Sequence, residues 1–171
     1  GLDHWRGLDF LIEVVKRLKT ANYRIVICGK CDRNAIQRLF GCDERVNVRG
    51  FVSDAELHDI CCRAAVFLNT RDPKIAENIL NFPSKVPNYL AYGKPIVSTW
   101  IESFSPEYRD FLQVAENESP AAFADKVNQV LSWSSEMRQF HYLGLRTWFC
   151  KNKLWVKQAE RMRNWMAGLL P

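Results

Sequence analysis

The amino-acid sequence predicts an α/β domain in which a parallel, doubly wound sheet carries helices on both faces. Two observations lead to this fold class. Helix-like and strand-like segments alternate five times along the chain, and the connections between them are short, as in parallel β-α-β units. The chain has 171 residues, 47% of them hydrophobic, which is enough to bury a core without disulfides or metal ions.

The first half of the chain alternates between the two kinds of element. Apolar residues at helical spacing over Leu8–Leu18 predict an amphipathic helix. The β-branched run Tyr23–Gly29 is typical of a buried strand closed by glycine. Ser53–Glu56 reads "SDAE", a capping box that opens a helix reaching Cys61 or Cys62. The other elements predicted here are a helix over Asp32–Phe40 and strands over Arg45–Gly50 and Ala65–Asn69.

The second half continues the alternation after an irregular segment, Thr70–Pro83. Ser84 is expected to cap a short helix by accepting a hydrogen bond from free backbone N–H groups, and Gly93 to end that helix in the left-handed conformation. The remaining predicted elements are a strand over Pro95–Thr99, a strand over Phe111–Glu116, and a helix from Ser119-Pro120 to about Leu131.

The tail of the chain is predicted to be helical throughout, so we divide the sequence into a sheet domain at 1–150 and a C-terminal helix at 151–171. A final helix from Asn152 to about Ala167 places Trp155, Ala159, Met162 and Met166 on one face. Such a stripe is typical of a packing surface rather than a cofactor site.

Composition excludes several classes of protein. The net charge of +5 is spread along the sequence and favours anionic partners only slightly, so no nucleic-acid partner is expected. No apolar stretch is long enough to span a bilayer. The six cysteines lie largely inside predicted strands and helices, unlike a secreted disulfide framework, which favours a reducing cytosol. Gly-x-Gly-x-x-Gly and Walker patterns are absent from the sequence.

A metal site is not expected either. Cys28-x-x-Cys31 has the spacing of a zinc or redox pair, but no second pair follows at a suitable distance. His58 stands alone beside Cys61-Cys62, and His4 and His141 have no evident carboxylate or nucleophile partner. No catalytic residue is assigned from the sequence.

The stretch "FPSKVPNYLAYGKPIVST" (Phe82–Thr99) resembles the donor-binding helix and following strand of a known enzyme family. These are the GT-B-fold, retaining glycosyltransferases of the large bacterial "group 1" family, which build capsules, teichuronic acids and lipopolysaccharides. "GLDHWRGLDFLIEV", "VICGK", "VNVRGFVSDAELHDICCRAAVFLNT" and "FLQVAENESPAAFADKVNQVL" resemble further elements of the carboxyl-terminal domain of that family, in the same order and spacing.

The resemblance implies a Rossmann-like domain that binds a nucleotide-diphosphate sugar, with no cofactor and no metal. It also implies an amino-terminal domain that holds a carbohydrate or lipid-linked acceptor, and a first strand of the present domain, both before Gly1. The C-terminal helix is expected to return to that second domain, leaving Trp155 and Trp165 unusually exposed in this chain. The present chain alone is then expected to transfer no sugar.

The resemblance implies a diphosphate site made by three residues. Arg6 stands where the family usually has a lysine or arginine directed at the diphosphate, and Ser84 and Lys85 open the donor-binding helix. Helix amino termini bind phosphate through free N–H groups and the positive end of the helix dipole. A surface lysine and a loop arginine without ligands are the alternatives.

The nucleoside site is implied with two departures from the family. Asn88 stands where the family has a glutamate that binds the ribose, and Leu80 stands at the position of a second glutamate. Glu77 replaces the latter if the loop is shifted, and is otherwise a surface carboxylate. Phe51 and Val52 would border the nucleobase; core packing is the alternative for Phe51.

Three interpretations follow. The first is metal-independent transfer of a sugar in cell-surface polysaccharide synthesis by the full-length, cytoplasmic protein, with contact at the inner face of the membrane left open. The second is a glycosyltransferase-like binding module without turnover, which Asn88 and Leu80 would permit. The third, an unrelated flavodoxin-like or receiver-type domain, is disfavoured because no acidic cluster follows the first strands and the tail is too long.

Overall fold

A computed structural model describes residues 7–19, 22–115 and 117–168, without the side chains of residues 79 and 80. The helices are α1 Leu8–Val15, α2 Arg33–Leu39, α3 Asp54–Arg63, α4 Ala76–Leu80, α5 Lys85–Ala91, α6 Pro120–Leu131, α7 Ser135–Asn152, α8 Trp155–Ala167 and a 3₁₀ helix at Pro106–Asp110. The strands are β1 Ile25–Cys28, β2 Val46–Gly50, β3 Phe67–Asn69, β4 Ile96–Ser98 and β5 Leu112–Val114.

All observed strand pairs are parallel, which confirms the predicted fold class. β1 pairs with β2, Ile25 opposite Val46, and β4 lies between β3 and β5. In this second group Phe67, Ile96 and Leu112 are in register. Helices cover both faces, so the architecture is Rossmann-like, and the functional residues are expected at the carboxyl ends of the strands.

Helix α1 joins the two groups of strands. Leu8, Leu11 and Val15 pack with the core of β1, β2 and α2. Phe10 and Val14, on the neighbouring part of the helix surface, pack with β4 and α6. The helix therefore ties both groups of strands into one core. On the opposite face, α5, α7 and the 3₁₀ helix share a core with β3 and β4.

Strand β1 differs from its prediction as a buried strand. Its sequence is apolar throughout, yet Val26 is 42% exposed. Among the described residues β1 pairs only with β2, and β3 only with β4, so each keeps one unpaired edge. A fully apolar strand is typical of the interior of a parallel sheet. The exposure therefore fits a missing neighbour, as the resemblance implies, and that extra strand stays a prediction.

The outer edge of β2 is covered by two side chains of α2. Arg33 donates from Nε to the carbonyl of Val48 at 3.1 Å. One turn later, Gln37 donates from Nε2 to the carbonyl of Val46 at 3.0 Å. Unpaired carbonyls on an edge strand invite pairing with another chain, and these contacts block it.

Most helix starts agree with the sequence. Ser53 accepts a hydrogen bond from the N–H of Glu56, and Ser119 from that of Ala122, so both predicted caps are confirmed. The segment predicted to be irregular, Thr70–Pro83, contains the short helix α4.

The C-terminal helices correct two predictions. Asn152 is the last residue of α7 and does not open the last helix. Lys153 and Leu154 separate the two helices, and α8 begins at Trp155. Helix α8 buries none of its described residues, so its apolar stripe is not packed within the described part of the chain. The predicted exposure is confirmed: Trp155 is 90% and Trp165 67% exposed. The 150/151 division falls in the last turn of α7 and stays a prediction.

No helix in the described part of the chain is long and apolar enough to cross a membrane.

An ion pair fastens the end of α7 to the 3₁₀ helix and gives a pH-dependent prediction. Lys153 Nζ lies 2.5 Å from Glu107 Oε1, and its hydrogen bond is the main cause that lowers the pKa of Glu107. A carboxyl whose pKa is lower in the folded state stabilises the fold above its unfolded pKa, and this contribution is lost as the pH falls through the folded pKa. We expect Glu107→Gln to cost about 0.5–1 kcal/mol at pH 7, since the pair is partly exposed.

The measurement is thermal unfolding of both proteins at pH 7 and at pH 3. The Tm of Glu107→Gln should be lower than that of the unaltered protein at pH 7, and the difference should disappear at pH 3. Glu160→Gln, which breaks a more exposed pair with Lys157, serves as the control and should change little at either pH. A Glu107→Gln difference that persists at pH 3 would contradict the assignment.

Candidate functional site

Buried polar side chains gather at the carboxyl ends of β3 and β4 and in the segment that follows β3. Of the described residues, the buried polar ones are Asn69, Thr70, Asn78, Ser98 and Thr99. Burying polar groups is unfavourable unless they are hydrogen-bonded. Their concentration at the ligand-binding edge of the sheet marks this edge as the candidate site.

Hydrogen bonds among these side chains hold the segment after β3 in place. Asn69 Nδ2 donates to Ser98 Oγ at 2.8 Å, and Ser98 Oγ donates to the carbonyl of Thr99 at 2.7 Å. Thr99 Oγ1 donates to the carbonyl of Arg71 at 2.5 Å. Within the segment, Asn78 Nδ2 donates to the carbonyl of Asp72 at 2.9 Å. The start of the 70–83 segment is therefore anchored to β4.

The same edge holds the glycine loop before α1. Thr70 Oγ1 donates to the carbonyl of Gly7 at 3.1 Å. Gly7 has φ +89°, and a Cβ atom there would lie 1.8 Å from the Thr70 carbonyl oxygen. Only glycine allows the two backbones to approach this closely. The start of α1 is thereby brought to the carboxyl end of β3.

Helix α5 follows the anchored segment, and its start corrects one prediction. Ser84 is already helical (φ −56°, ψ −18°), and its side chain makes no capping hydrogen bond. A capping residue needs an extended backbone for its side chain to reach the next turn. Instead, the N–H of Val86 donates to the carbonyl of Pro83 at 2.9 Å. The other end is as predicted, with Gly93 at φ +68°.

Helix α5 has one buried and one exposed face. Val86 and Leu90 are fully buried in the core with β3 and β4. Lys85 and Asn88 are exposed, and residues three apart are neighbours on a helix surface. Pro87 has no N–H to offer an anion. The side chain of Lys85 is therefore the principal group through which this turn can hold a negative charge.

The loop after β2 presents an aromatic ring to solvent. Gly50 ends β2 with φ +71°. Phe51 follows with 85% of its surface exposed, and Val52 is half-buried. The alternative of core packing is therefore wrong for Phe51. An exposed ring at the ligand-binding edge is available to stack on a planar group.

Some predicted residues cannot be placed. Arg6 and His4 lie outside the described residues, as does the side chain of Leu80. Glu77 is exposed in the first turn of α4.

The structure shows the surroundings of the six cysteines and of His58. All six cysteines are free, and burial raises the pKa of the Cys28 and Cys61 thiols. His58 is not isolated as predicted, because its Nδ1 lies 3.2 Å from Tyr92 Oη and its Nε2 lies 3.4 Å from Cys62 Sγ. Within the ranges described, no three His, Cys, Asp or Glu residues are grouped so as to hold a metal ion.

Sequence reasoning missed the polar network, although a pattern for it is visible. Strands β3 and β4 run into Asn69-Thr70 and Ser98-Thr99, so each apolar run ends in two polar residues. Because parallel strands end at the same edge of a sheet, such paired endings predict polar side chains that meet there.

The strand pairing and the helices define a Rossmann-like α/β domain, and the polar edge at the carboxyl ends of β3 and β4 is its candidate site. The family model for group 1 glycosyl transferases matches residues 1–132. The chain belongs to this glycosyltransferase family.

Solved structures share the fold. WaaG, a glycosyltransferase involved in lipopolysaccharide biosynthesis, matches with a TM-score of 0.71 and 16% identity over 94% of this chain. The chain spans 44% of the length of that structure. The catalytic domain of cholesterol-α-glucosyltransferase from Helicobacter pylori matches with a TM-score of 0.58 and 17% identity, covering 85% of this chain and 89% of the other. A comparison with curated protein sequences gave no match.

Proposed function

We propose that this chain is the carboxyl-terminal, donor-binding part of a retaining glycosyltransferase and that it binds a nucleotide-diphosphate sugar at the carboxyl edge of its sheet. The observation that carries the proposal is the exposed pair Lys85 and Asn88 on α5. The helix follows the anchored segment at the polar edge, in a chain that belongs to a glycosyltransferase family.

The diphosphate is the part of the donor that most needs a cation. Transfer breaks the bond between the anomeric carbon and the diphosphate oxygen, so negative charge grows on the leaving group. Lys85 neutralises that charge, and a hydrogen bond to a charged group contributes about 1.5–3 kcal/mol. Arg6 joins it in this proposal, since arginine binds phosphate through two parallel hydrogen bonds. Ser84 contributes its hydroxyl as a ligand rather than as a helix cap.

The nucleoside occupies the neighbouring strand ends. Phe51 stacks on the base beside Val52 at the end of β2, and Asn88 accepts a hydrogen bond from a ribose hydroxyl through its amide carbonyl. No cofactor or metal takes part in this proposal, because the side chains and the backbone carry the binding.

The acceptor, a carbohydrate or a lipid-linked carbohydrate, is held by a second, amino-terminal domain. Two observations support this part of the proposal. The chain spans 44% of the WaaG structure, and α8 presents an unburied stripe that includes Trp155 and Trp165. An exposed apolar patch of this kind marks a protein interface. The protein works in the cytoplasm in cell-surface polysaccharide synthesis, a location supported by its free cysteines.

The test of this function is nucleotide release by the full-length protein. A panel of UDP- and GDP-sugars is incubated with the protein and candidate acceptors, and free UDP or GDP is measured. Release that depends on acceptor is expected with one donor. Binding of a donor without release would favour the alternative of a binding module, which rests on Asn88 and Leu80 at positions where the family has glutamates.

Asn88→Glu tests the ribose assignment. A carboxylate accepts hydrogen bonds more strongly than an amide carbonyl, so nucleoside-diphosphate affinity should rise about fivefold, equivalent to about 1 kcal/mol. Calorimetric titration of the protein with UDP and GDP measures it. Asn164→Glu adds the same charge to the exposed surface of α8 and should leave affinity unchanged. Weaker or unaltered binding in Asn88→Glu would refute the ribose contact.

A further inference from the structure

Arg33 lies at the end of β2 that precedes Phe51 and Val52, the residues proposed above to border the base. It is the first residue of α2, and its Nε donates to the carbonyl of Val48 near the end of β2. Gly50, two residues later, has φ +71°, and a Cβ atom at position 50 would lie 2.8 Å from the Cδ atom of Arg33. The arginine stem thus fills the space over Gly50, the residue that precedes the exposed Phe51.

The edge-capping role of Arg33 does not use the whole guanidinium. The contact with Val48 takes only Nε. In the described part of the chain, Arg45 and Arg49 are paired with Asp43 and Glu56, whereas no ion pair is formed there by Arg33. Gln37 performs the same capping with a neutral amide. A charge is therefore not required to cover this edge, and the Nη groups remain for another acceptor.

We propose that Arg33 selects the nucleobase of the donor, favouring bases that carry an oxo group, uracil or guanine, over bases that carry an amino group in the corresponding place, cytosine or adenine. The inference rests on the proposed donor site. A guanidinium has only donors. It matches the O4 of uracil or the O6 and N7 of guanine, whereas the amino group of cytosine or adenine is itself a donor and opposes it.

The test measures the affinity of the full-length protein for UDP, GDP, CDP and ADP by calorimetric titration. In the unaltered protein we expect UDP or GDP to bind at least about tenfold more tightly than CDP and ADP, the scale of one good arginine–base contact. Arg33→Met keeps the apolar stem over Gly50 and removes the donors, and this preference should fall to within about threefold. Gln37→Met is the matched control, because it also removes one edge cap of β2.

Each outcome of this experiment either supports or overturns the proposed selection of the base by Arg33. Loss of the preference in Arg33→Met, with the preference kept in Gln37→Met, supports the selection. Equal loss in both variants assigns the effect to the edge of β2 and overturns the proposal, as does an unchanged preference in Arg33→Met. Equal binding of all four nucleotides by the unaltered protein overturns the selection and leaves the donor site standing. Binding of none of them overturns the donor site, and the selection with it.

Discussion

Lys85→Ala should weaken the binding of nucleoside diphosphates by at least about tenfold. The lysine is exposed at the first turn of α5, where Pro87 and the helical Ser84 leave few other groups to meet an anion. A charge-assisted hydrogen bond contributes about 1.5–3 kcal/mol, and each 1.4 kcal/mol is a factor of ten. Calorimetric titration of the full-length protein with UDP and GDP measures the change.

The stability of the same variant should move the other way. A positive charge near a helix amino terminus is unfavourable by a few tenths of a kcal/mol or more, so its removal should leave Tm unchanged or slightly higher. Lys151→Ala, an exposed lysine at the end of α7, controls for the loss of one positive charge and should bind as the unaltered protein does. A lower Tm with unchanged affinity in Lys85→Ala would mean that the lysine is structural.

Gly7→Ala should destabilise the protein by about 3 kcal/mol. Its left-handed backbone costs a non-glycine residue about 1–2 kcal/mol, and crowding a packed site adds about 1–3 kcal/mol. The new Cβ atom would lie 1.8 Å from the Thr70 carbonyl oxygen, so the backbones must separate. Because Thr70 belongs to the polar edge, donor affinity should fall as well.

Denaturant unfolding measures this loss, with Gly144→Ala as the control. Gly144 is exposed in α7, with open space where a Cβ atom would lie. Alanine should therefore stabilise the protein there by about 0.5–1 kcal/mol. A Gly7→Ala protein as stable as the unaltered one would contradict the close approach of the glycine loop to β3.

Features governed by local interactions could be predicted from the sequence. The capping serines Ser53 and Ser119 lie three residues before the N–H groups they accept from, and Gly93 needed only its own backbone freedom. Ser84 failed because Pro83 supplies the carbonyl that starts α5. Nothing in the composition of the segment distinguishes these two ways of starting a helix.

The polar endings of β3 and β4 indicate where polar side chains meet, but the particular contacts between distant residues could not be predicted. The bond between Thr99 and the carbonyl of Arg71 crosses 28 positions, and the contact of Gly7 with Thr70 crosses 63. The exposure of β1 depends on which strand lies beside it, and the exposure of α8 on what lies against it. Lys85 and Asn88 lie exposed on α5, while their role toward a ligand is still a prediction.

Saturation-transfer NMR of the full-length protein with UDP, GDP and their sugars shows whether the carboxyl edge of the sheet binds a nucleotide donor. We expect saturation of the base and ribose protons of at least one nucleotide, and we expect this signal to fall when inorganic pyrophosphate is added as a competitor. A folded protein that transfers no saturation to any of these nucleotides would contradict the donor site while leaving the family and the fold untouched.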